Sequence, residues 1–337
     1  LFTVQNPTTA ILLCIVTMLG WGSWANTQKM AGKANWPFQL YYWDYAVGVL
    51  VFALLFAFTA GSTGSSGQPA LANFQAASAG SIGTALLSGA IFNLANLLLV
   101  AAIDAAGMSV AFPLGIGLAL AIGTIASYIQ SPHGDPVFLF GGVVFIVAAM
   151  LLSAAASAKS THQGSRESSA ARSGVRGIFF SIAAGCLMGL FYPELMRSIS
   201  PGFNASPILP GKLTPYTAAV VFAIGLLLSN FVINTVFMKL AGVTFAQYRA
   251  GTAWLHIIGI LGGAIWMLAL CVNVVASGVA GPAVSYALGQ GATLVAAIWG
   301  VFIWKEFHSA PRISHILIGL MFACYAAGLL LVGKAIL

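Results

Sequence analysis

The chain has 337 residues, of which 60% are hydrophobic and 6% charged, with a formal net charge of +7. A water-soluble domain carries roughly a quarter charged residues, so this chain cannot cover a water-facing surface and its solvent is lipid. The positive balance shows no basic stripe, which points to anionic lipid heads and argues against nucleic acid as a partner. In chain order, apolar runs of spanning length fall at about 10–28, 40–60, 80–103, 108–129, 136–158, 176–195, 215–240, 250–274, 279–303 and 312–336. Each is long enough to cross a hydrocarbon core of ~30 Å as a helix, and each is continuously apolar instead of alternating, which excludes barrel strands. The first run lacks a basic start and reads as a span, not a cleavable signal.

The expectation is therefore an all-α integral membrane protein of ten transmembrane helices. Most connections are short. Residues 61–79 are rich in Gly, Ser and Ala without charge, and residues 159–175 (KSTHQGSRESSAARSGV) form a polar linker at the midpoint. The predicted division is 1–158, a linker at 159–175, and 176–337. The first, fifth, seventh and ninth connections hold Lys29, Lys33, Lys159, Arg166, Arg172, Arg176, Lys239, Arg249, Lys305 and Arg312. The other side holds Arg197, Lys212 and Lys334. The bias places the linker in the cytoplasm and both termini outside.

An offset of 174 residues aligns spans 3–4 with spans 8–9: Gly89-Ala90-Ile91-Phe92 on Gly263-Ala264-Ile265-Trp266, Gly107 on Gly281, and Leu114-Gly115-Ile116-Gly117 on Leu288-Gly289-Gln290-Gly291. Copies five spans apart lie upside down relative to each other, so the ten helices read as two inverted five-helix repeats, the usual build of secondary transporters.

Polar groups inside the spans are costly and mark function or helix contacts. Of six acids, Glu167 lies in the linker, Asp135 in a connection and Asp104 at a turn, while Glu306 near the surface is expected solvated or paired with Lys305. Asp44 in span 2 and Glu194 after Pro193 in span 6 are the candidates for binding and releasing a proton. The plainer readings are a helix-start residue for Asp44 and an ion pair with Arg197 for Glu194. Asn93, Asn96, Asn230, Asn234 and Gln290 are amides within spans, serving either a solute or interhelical hydrogen bonds. Trp21, Trp24, Tyr192, Trp266 and Tyr286 accompany them, whereas Trp36, Tyr41 and Trp43 read as an interface belt. Aromatic faces with amides and no buried Arg or Lys suit a neutral polar solute lined by Trp21, Trp24, Asn93, Asn96, Tyr192, Trp266, Tyr286 and Gln290. Cys14, Cys186, Cys271 and Cys324 all lie within spans and read as packing residues. Gly185-x-x-x-Gly189 and Gly259-x-x-x-Gly263 read as helix-packing signals and carry little about oligomers, so a monomer or weak homodimer is expected. Neither H-E-x-x-H nor G-x-S-x-G occurs, so no enzyme, metal site or cofactor is expected.

Ten spans in 5+5 inverted order resemble the drug/metabolite transporter superfamily. The stretches Leu19-Gly20-Trp21-Gly22-Ser23-Trp24, Tyr42-Trp43-Asp44-Tyr45, Gly89 to Asn96, Gly107-Met108-Ser109-Val110, Gly185 to Pro193 and Trp299 to Glu306 are similar to its ureide permease and bacterial glucose/ribose porter branch. The resemblance implies import of a small neutral polar solute with proton coupling at the inner (plasma) membrane. It implies polar roles at Asp44 and Asn96. The short linker, against the long central loop of plant ureide permeases, favours a monosaccharide over a ureide or nucleobase. A drug or metabolite exporter of the same superfamily is the alternative.

Overall fold

The computed structural model describes residues 1–63, 67–106, 108–161, 170–204 and 207–337. Among these residues fourteen α-helices follow in order: α1 Pro7–Ser23, α2 Ala25–Lys33, α3 Phe38–Phe58, α4 Ala70–Ala76, α5 Ala79–Ala106, α6 Met108–Gln130, α7 Pro136–Thr161, α8 Ala170–Ser198, α9 Pro215–Leu240, α10 Phe245–Arg249, α11 Ala253–Ala280, α12 Pro282–Gly289, α13 Ala292–Ile298 and α14 Arg312–Lys334. Among the described residues, nine helical segments are long and apolar enough to cross a membrane; a shorter apolar stretch, Leu114–Gln130, lies in α6. The only β-pairing among them is two isolated bridges, Ala77 with Gly211 and Ile199 with Leu213.

Starts are set by local chemistry. Asn6 accepts from the Thr9 amide before Pro7, Thr214 forms a capping box before Pro215, Thr252 caps α11, and Asp135 accepts from the Val137 amide before Pro136. A side-chain acceptor followed by Pro satisfies the first orphan donors with a residue that has no amide to lose. α8 continues through Pro193 to Ser198. Helical residues reach Thr161 and resume at Ala170, so helix occupies both ends of the 159–175 segment; Arg166 and Glu167 lie outside the described residues.

Two differences from expectation bear on the site. α11 runs on to Ala280 and stops at Gly281, whose φ of +76° is open to glycine, before Pro282 at the next helix start. The ninth span, expected as one helix, is broken into α12, α13 and a π-helical turn at Trp299–Ile303. At Gln290-Gly291 the backbone tightens, with ψ of −11° and −7°, and the Gly291 amide bonds back to Leu288. Two glycines flanking Gln290 leave this step free of side-chain crowding.

α5 packs along α8 and α9, α3 along α11 and α9, α6 along α8, α1 along α11, α12 and α13, and α7 along α14. The closest contacts have glycine on both sides. A methyl group built on Gly48 of α3 would sit 2.0 Å from the Ile260 carbonyl oxygen of α11, and one on Gly263 would sit 1.9 Å from that of Tyr45. The α9–α5 crossing is built alike: Gly225 would meet the Leu86 oxygen at 2.2 Å, and Gly89 the Phe222 oxygen at 2.1 Å. Large aromatics fill the interior, among them Tyr41, Tyr42, Tyr45, Tyr192, Phe191 and Phe222, while aliphatics such as Leu55, Leu228, Val232 and Leu330 cover the outside.

Both termini lie at one end of the bundle. The Phe2 amide donates to Ala60, Tyr216 donates its hydroxyl to Phe2, and the Asp135 amide donates to Ala335. At the opposite end α2 meets the segment after the π-turn: Trp304 Nε1 donates to Asn26 Oδ1 at 2.6 Å, and Lys29 and Lys33 lie 4.5 and 4.4 Å from the Trp304 ring centre. Glu306 is exposed at the surface, as expected, and pairs with Lys29 there instead of Lys305, which is also exposed.

Adding a methyl group at these crossings should overpack them. Gly263→Ala and Gly89→Ala should each cost about 1–3 kcal/mol and lower the thermal midpoint in detergent, while Gly319→Ala, which would meet nothing within 4 Å, should leave it unchanged. Equal midpoints for all three would remove the crossings as a source of stability.

Candidate functional site

Trp266, 5% exposed, lies at the centre of an aromatic cluster. Its ring stands 4.3 Å from Phe92 of α5, 5.9 Å from Phe222 of α9, 6.0 Å from Trp21 of α1, 6.4 Å from Tyr45 of α3 and 6.5 Å from Phe191 of α8. Trp21 donates Nε1 to the Trp266 carbonyl at 3.2 Å. Tyr45 carries the cluster to Trp24 at 5.2 Å, and Phe191 carries it through Tyr192 to Tyr286, whose rings lie 4.9 Å apart. The expected aromatics thus converge, and their rings close on one another in this conformation.

The polar lining is uncharged. Tyr192 and Ser285 share a hydrogen bond of 3.1 Å, and Asn273 donates to the Ser285 carbonyl. Gln290 lies beside the Tyr286 hydroxyl, which donates weakly, at 3.3 Å, to the Ala119 and Met188 carbonyls. Asn96 lies beside Tyr42. Asn93 turns to α9 and donates to Ser229 Oγ at 2.8 Å. The Tyr45 hydroxyl and Asn273 Oδ1 are buried without hydrogen-bond partners. No described lysine or arginine is buried.

The two candidate acids are far apart in role. Asp44 is not a helix-start residue in a belt: its side chain is 5% exposed, with Oδ1 accepting from Tyr248 at 2.6 Å and Oδ2 facing His256 Nδ1 at 2.9 Å. Tyr248 stands on α10, a single turn fixed by the Thr244–Gln247 capping box, and His256 on the first turn of α11. Burial and the adjacent carboxylate push the Tyr248 hydroxyl up from its ordinary value, which keeps it a donor. Gly259 admits Asp44, since a methyl group there would fall 2.5 Å from the Asp44 Cβ. Glu194 pairs with Arg197 at 3.0 Å at the terminal end of the bundle. Trp36, Tyr41 and Trp43 are buried among neighbouring helices, not in a lipid-facing belt: Trp36 edges onto His256, Tyr41 bonds Thr27, and Trp43 donates to Met238. The side chain of Asp104 lies outside the described set. Among the described residues no three His, Cys, Asp or Glu gather as a metal site.

Sequence reasoning did not assign Tyr42, Tyr45, Phe92, Asn273, Tyr248 or His256 to the site. Phe92 was legible as the repeat partner of Trp266; the others needed their cross-helix neighbours.

A polytopic helical bundle with an uncharged aromatic and amide centre is the build of a solute transporter. A profile described as "Sugar transport protein" matches residues 12–332, and the chain belongs to that family. It is similar to Ureide permease 2 of Arabidopsis thaliana, 23% identical over an alignment 385 positions long, gaps included, with 94% of each chain covered. A solved structure described only as "Crystal structure of protein" shares the fold, with a TM-score of 0.59 and 14% identity over 96% of this chain and 97% of that one. The protein is a multi-pass membrane transporter of small solutes, in agreement with the resemblance to the ureide permease and sugar porter branch.

Removing the Tyr248 hydroxyl leaves Asp44 Oδ1 without its donor. Tyr248→Phe should destabilise the protein by about 1–3 kcal/mol, and by much less in an Asp44→Ala background. Equal losses in both backgrounds, measured by thermal unfolding, would show that the hydrogen bond contributes nothing.

Proposed function

We propose that the chain is a secondary-active importer of a small neutral polar solute, a monosaccharide ahead of a ureide or nucleobase, driven by protons through alternating access. The observation that carries the substrate class is the central cluster: aromatic faces beside buried amide and phenol groups that lack partners, with every described Lys and Arg outside it. Sugar rings offer apolar C–H faces to aromatic rings and hydroxyls to amides, and no anion could be neutralised there. Family membership and the ureide permease likeness support the same class. The inner (plasma) membrane placement rests on that likeness.

Alternating access is proposed to arise from two inverted five-helix repeats, residues 1–158 and 176–337. Support comes from the packing map. Exchanging each span with the fifth one on turns α3–α11 into α9–α5, α1–α11 into α8–α5, and α1–α12/α13 into α8–α6; α3–α9 and α7–α14 return to themselves. The crossing glycines follow: Leu86 and Gly89 shift by 174 residues onto Ile260 and Gly263, while Tyr45 and Gly48 shift by 177 onto Phe222 and Gly225. The basic-residue bias supports an orientation with both termini outside and the linker in the cytoplasm. A cytoplasm-only reporter fused after Leu337 that proves active would reverse it.

For coupling we take Asp44 as the proton-binding group. His256 supports this role, since its partly exposed side chain touches the buried carboxylate. Glu194, already paired near the surface, ranks second.

The substrate class is tested by thermal-shift titration of purified protein with sugars, ureides, nucleobases and organic cations. A sugar should raise the midpoint, because a ligand of the folded state stabilises it; stabilisation by cations alone would turn the reading to export. Coupling is tested by Asp44→Asn, which keeps the shape and removes the titration. The variant should lose uptake driven by a pH gradient while retaining solute exchange. Undiminished gradient-driven uptake would reject Asp44.

A further inference from the structure

Four buried polar atoms without partners lie where α3, α5 and α9 meet, Asn93 Oδ1, both side-chain atoms of Asn230 and Asn234 Oδ1, next to the Tyr42 hydroxyl and Asn96 Nδ2, which have only each other. All five residues are at most 5% exposed. Their convergence follows from the bonds that are made. Asn93 donates Nδ2 across to Ser229 of α9, and Asn234 donates Nδ2 to the Gln39 carbonyl of α3 at 2.9 Å. Asn96 lies beside Tyr42. Asn230 stands one turn from Asn234 and one turn from Leu226, and the Leu226 amide nitrogen would lie 2.7 Å from a methyl group on Gly89 of α5. Residues four apart share a helix face, so Asn230 looks into the junction between α5 and α3.

Amides that serve only as interhelical glue satisfy one another. Here Asn93 and Asn234 each give their NH2 to the protein and keep a carbonyl free, and Asn230 keeps both groups free. Unpaired polar groups in a site without bulk water are expensive, and a cluster of them is explained by a guest that completes the bonds. The junction continues the aromatic cluster, because Asn96 lies one turn beyond Phe92, the ring nearest Trp266.

We propose that this junction is the subsite that reads the polar edge of the transported solute, with Asn230 engaging a donor and an acceptor held side by side. Vicinal hydroxyls of a monosaccharide present that pair, and so does the cis amide of a ureide. Asn93 and Asn234 offer carbonyls to further hydroxyl or N–H donors, and the Tyr42 hydroxyl serves as either. The assignment rests on the transport reading and sharpens it: the solute's apolar face meets Trp266 and Phe92, and its polar edge points at α9.

The test uses the full chain in detergent, titrated with glucose, 2-deoxyglucose and allantoin by thermal shift and intrinsic tryptophan fluorescence. Wild type should respond to glucose or allantoin. Asn230→Leu should bind that solute about tenfold more weakly or worse, while its solute-free midpoint holds or rises because an unpartnered amide is gone. If glucose is the solute, the preference for it over 2-deoxyglucose should shrink in the variant. Wild-type affinity in Asn230→Leu, or a lowered midpoint with unchanged affinity, overturns the subsite alone and assigns the amide to packing or to bound water. A wild type that responds to none of the three overturns the transport reading and the subsite together. Should Asn230→Leu fail to fold, Tyr42→Phe, which keeps the ring, must weaken binding; unchanged affinity there overturns the proposal as well.

Discussion

Helices in a bilayer gain nothing by hiding leucine from lipid, so close backbone approach has to hold them together. In this protein that approach is closest at two glycine-on-both-sides crossings, α3 with α11 and α5 with α9, where any side chain larger than hydrogen would collide with a carbonyl, and a third, α7 with α14 at Gly142 and Gly328, is looser. Everything central depends on the closest two. Tyr45 and Phe222 supply the carbonyls at the crossings and also the rings that flank Trp266. The positions that bring the backbones together are therefore the positions that assemble the aromatic centre. Conversely, the aliphatic outer face of the bundle only matches the lipid.

Buried polar groups divide into two kinds, those with a partner and those without. Some paired ones fasten connections, as Asn73 receives the Thr214 amide and the Thr217 hydroxyl and Asp44 receives Tyr248 and faces His256; others join helices within the bundle, as Ser88 donates to the Phe191 carbonyl and Thr17 to that of Ala269. Most of the unpaired ones sit among α3, α5, α9 and α11; Thr124 and Ser127 of α6 and, in connections, Trp36 and Asn204 carry the others. A stability role accounts for the first kind and leaves the second unexplained, which is why the solute reading rests on the second. The same distinction demotes the Lys29–Glu306 pair. Both side chains are more than a third exposed, and exposed pairs contribute only about 0–1 kcal/mol. The hydrogen bonds from Trp299 to Ser23 and from Trp304 to Asn26 hold that end with better defined geometry.

The spans were legible in the sequence because bilayer thickness sets a length that few other constraints can imitate. Their starts at Pro7 and Pro282 were missed by three residues, because apolar runs alone ignore the Pro and cap residues that fix the first turn. The break in the ninth span was not legible: Leu114-Gly115-Ile116-Gly117 has the glycines of Leu288-Gly289-Gln290-Gly291, yet α6 runs through it unbroken. Glycine permits the tightened step without requiring it, and surrounding helices decide. Trp36, Tyr41 and Trp43 were misread because aromatics near a helix start suit a lipid interface and an interhelical gap equally well. The missed partner of Glu306 lies 277 residues away in sequence, beyond the reach of local charge patterns. Asp44 stood out as a charge in an apolar helix, but its meaning came from Tyr248 and His256, which no spacing rule connects to it.

α3 ties the proposed solute site to the proposed proton site. Within four residues it presents Tyr42 to α5, Asp44 to His256 and Tyr45 to Trp266. The opposing face of α11 carries His256, Gly259, Gly263 and Trp266 in successive turns, and Gly259 and Gly263 are the contacts that admit Asp44 and Tyr45. Protonating Asp44 removes the charge on which His256 and Tyr248 converge and weakens charge-assisted bonds, which are about twice as strong as neutral ones. That change falls on the α3–α11 contact itself, two helical turns from Trp266. A solute seated between Trp266 and the α5–α9 amides bears on the same contact from its other end. Two ligands that bias one helix pair must, by linkage, bias each other's binding, and this shared pair is the physical basis on which proton and solute movement would be coupled.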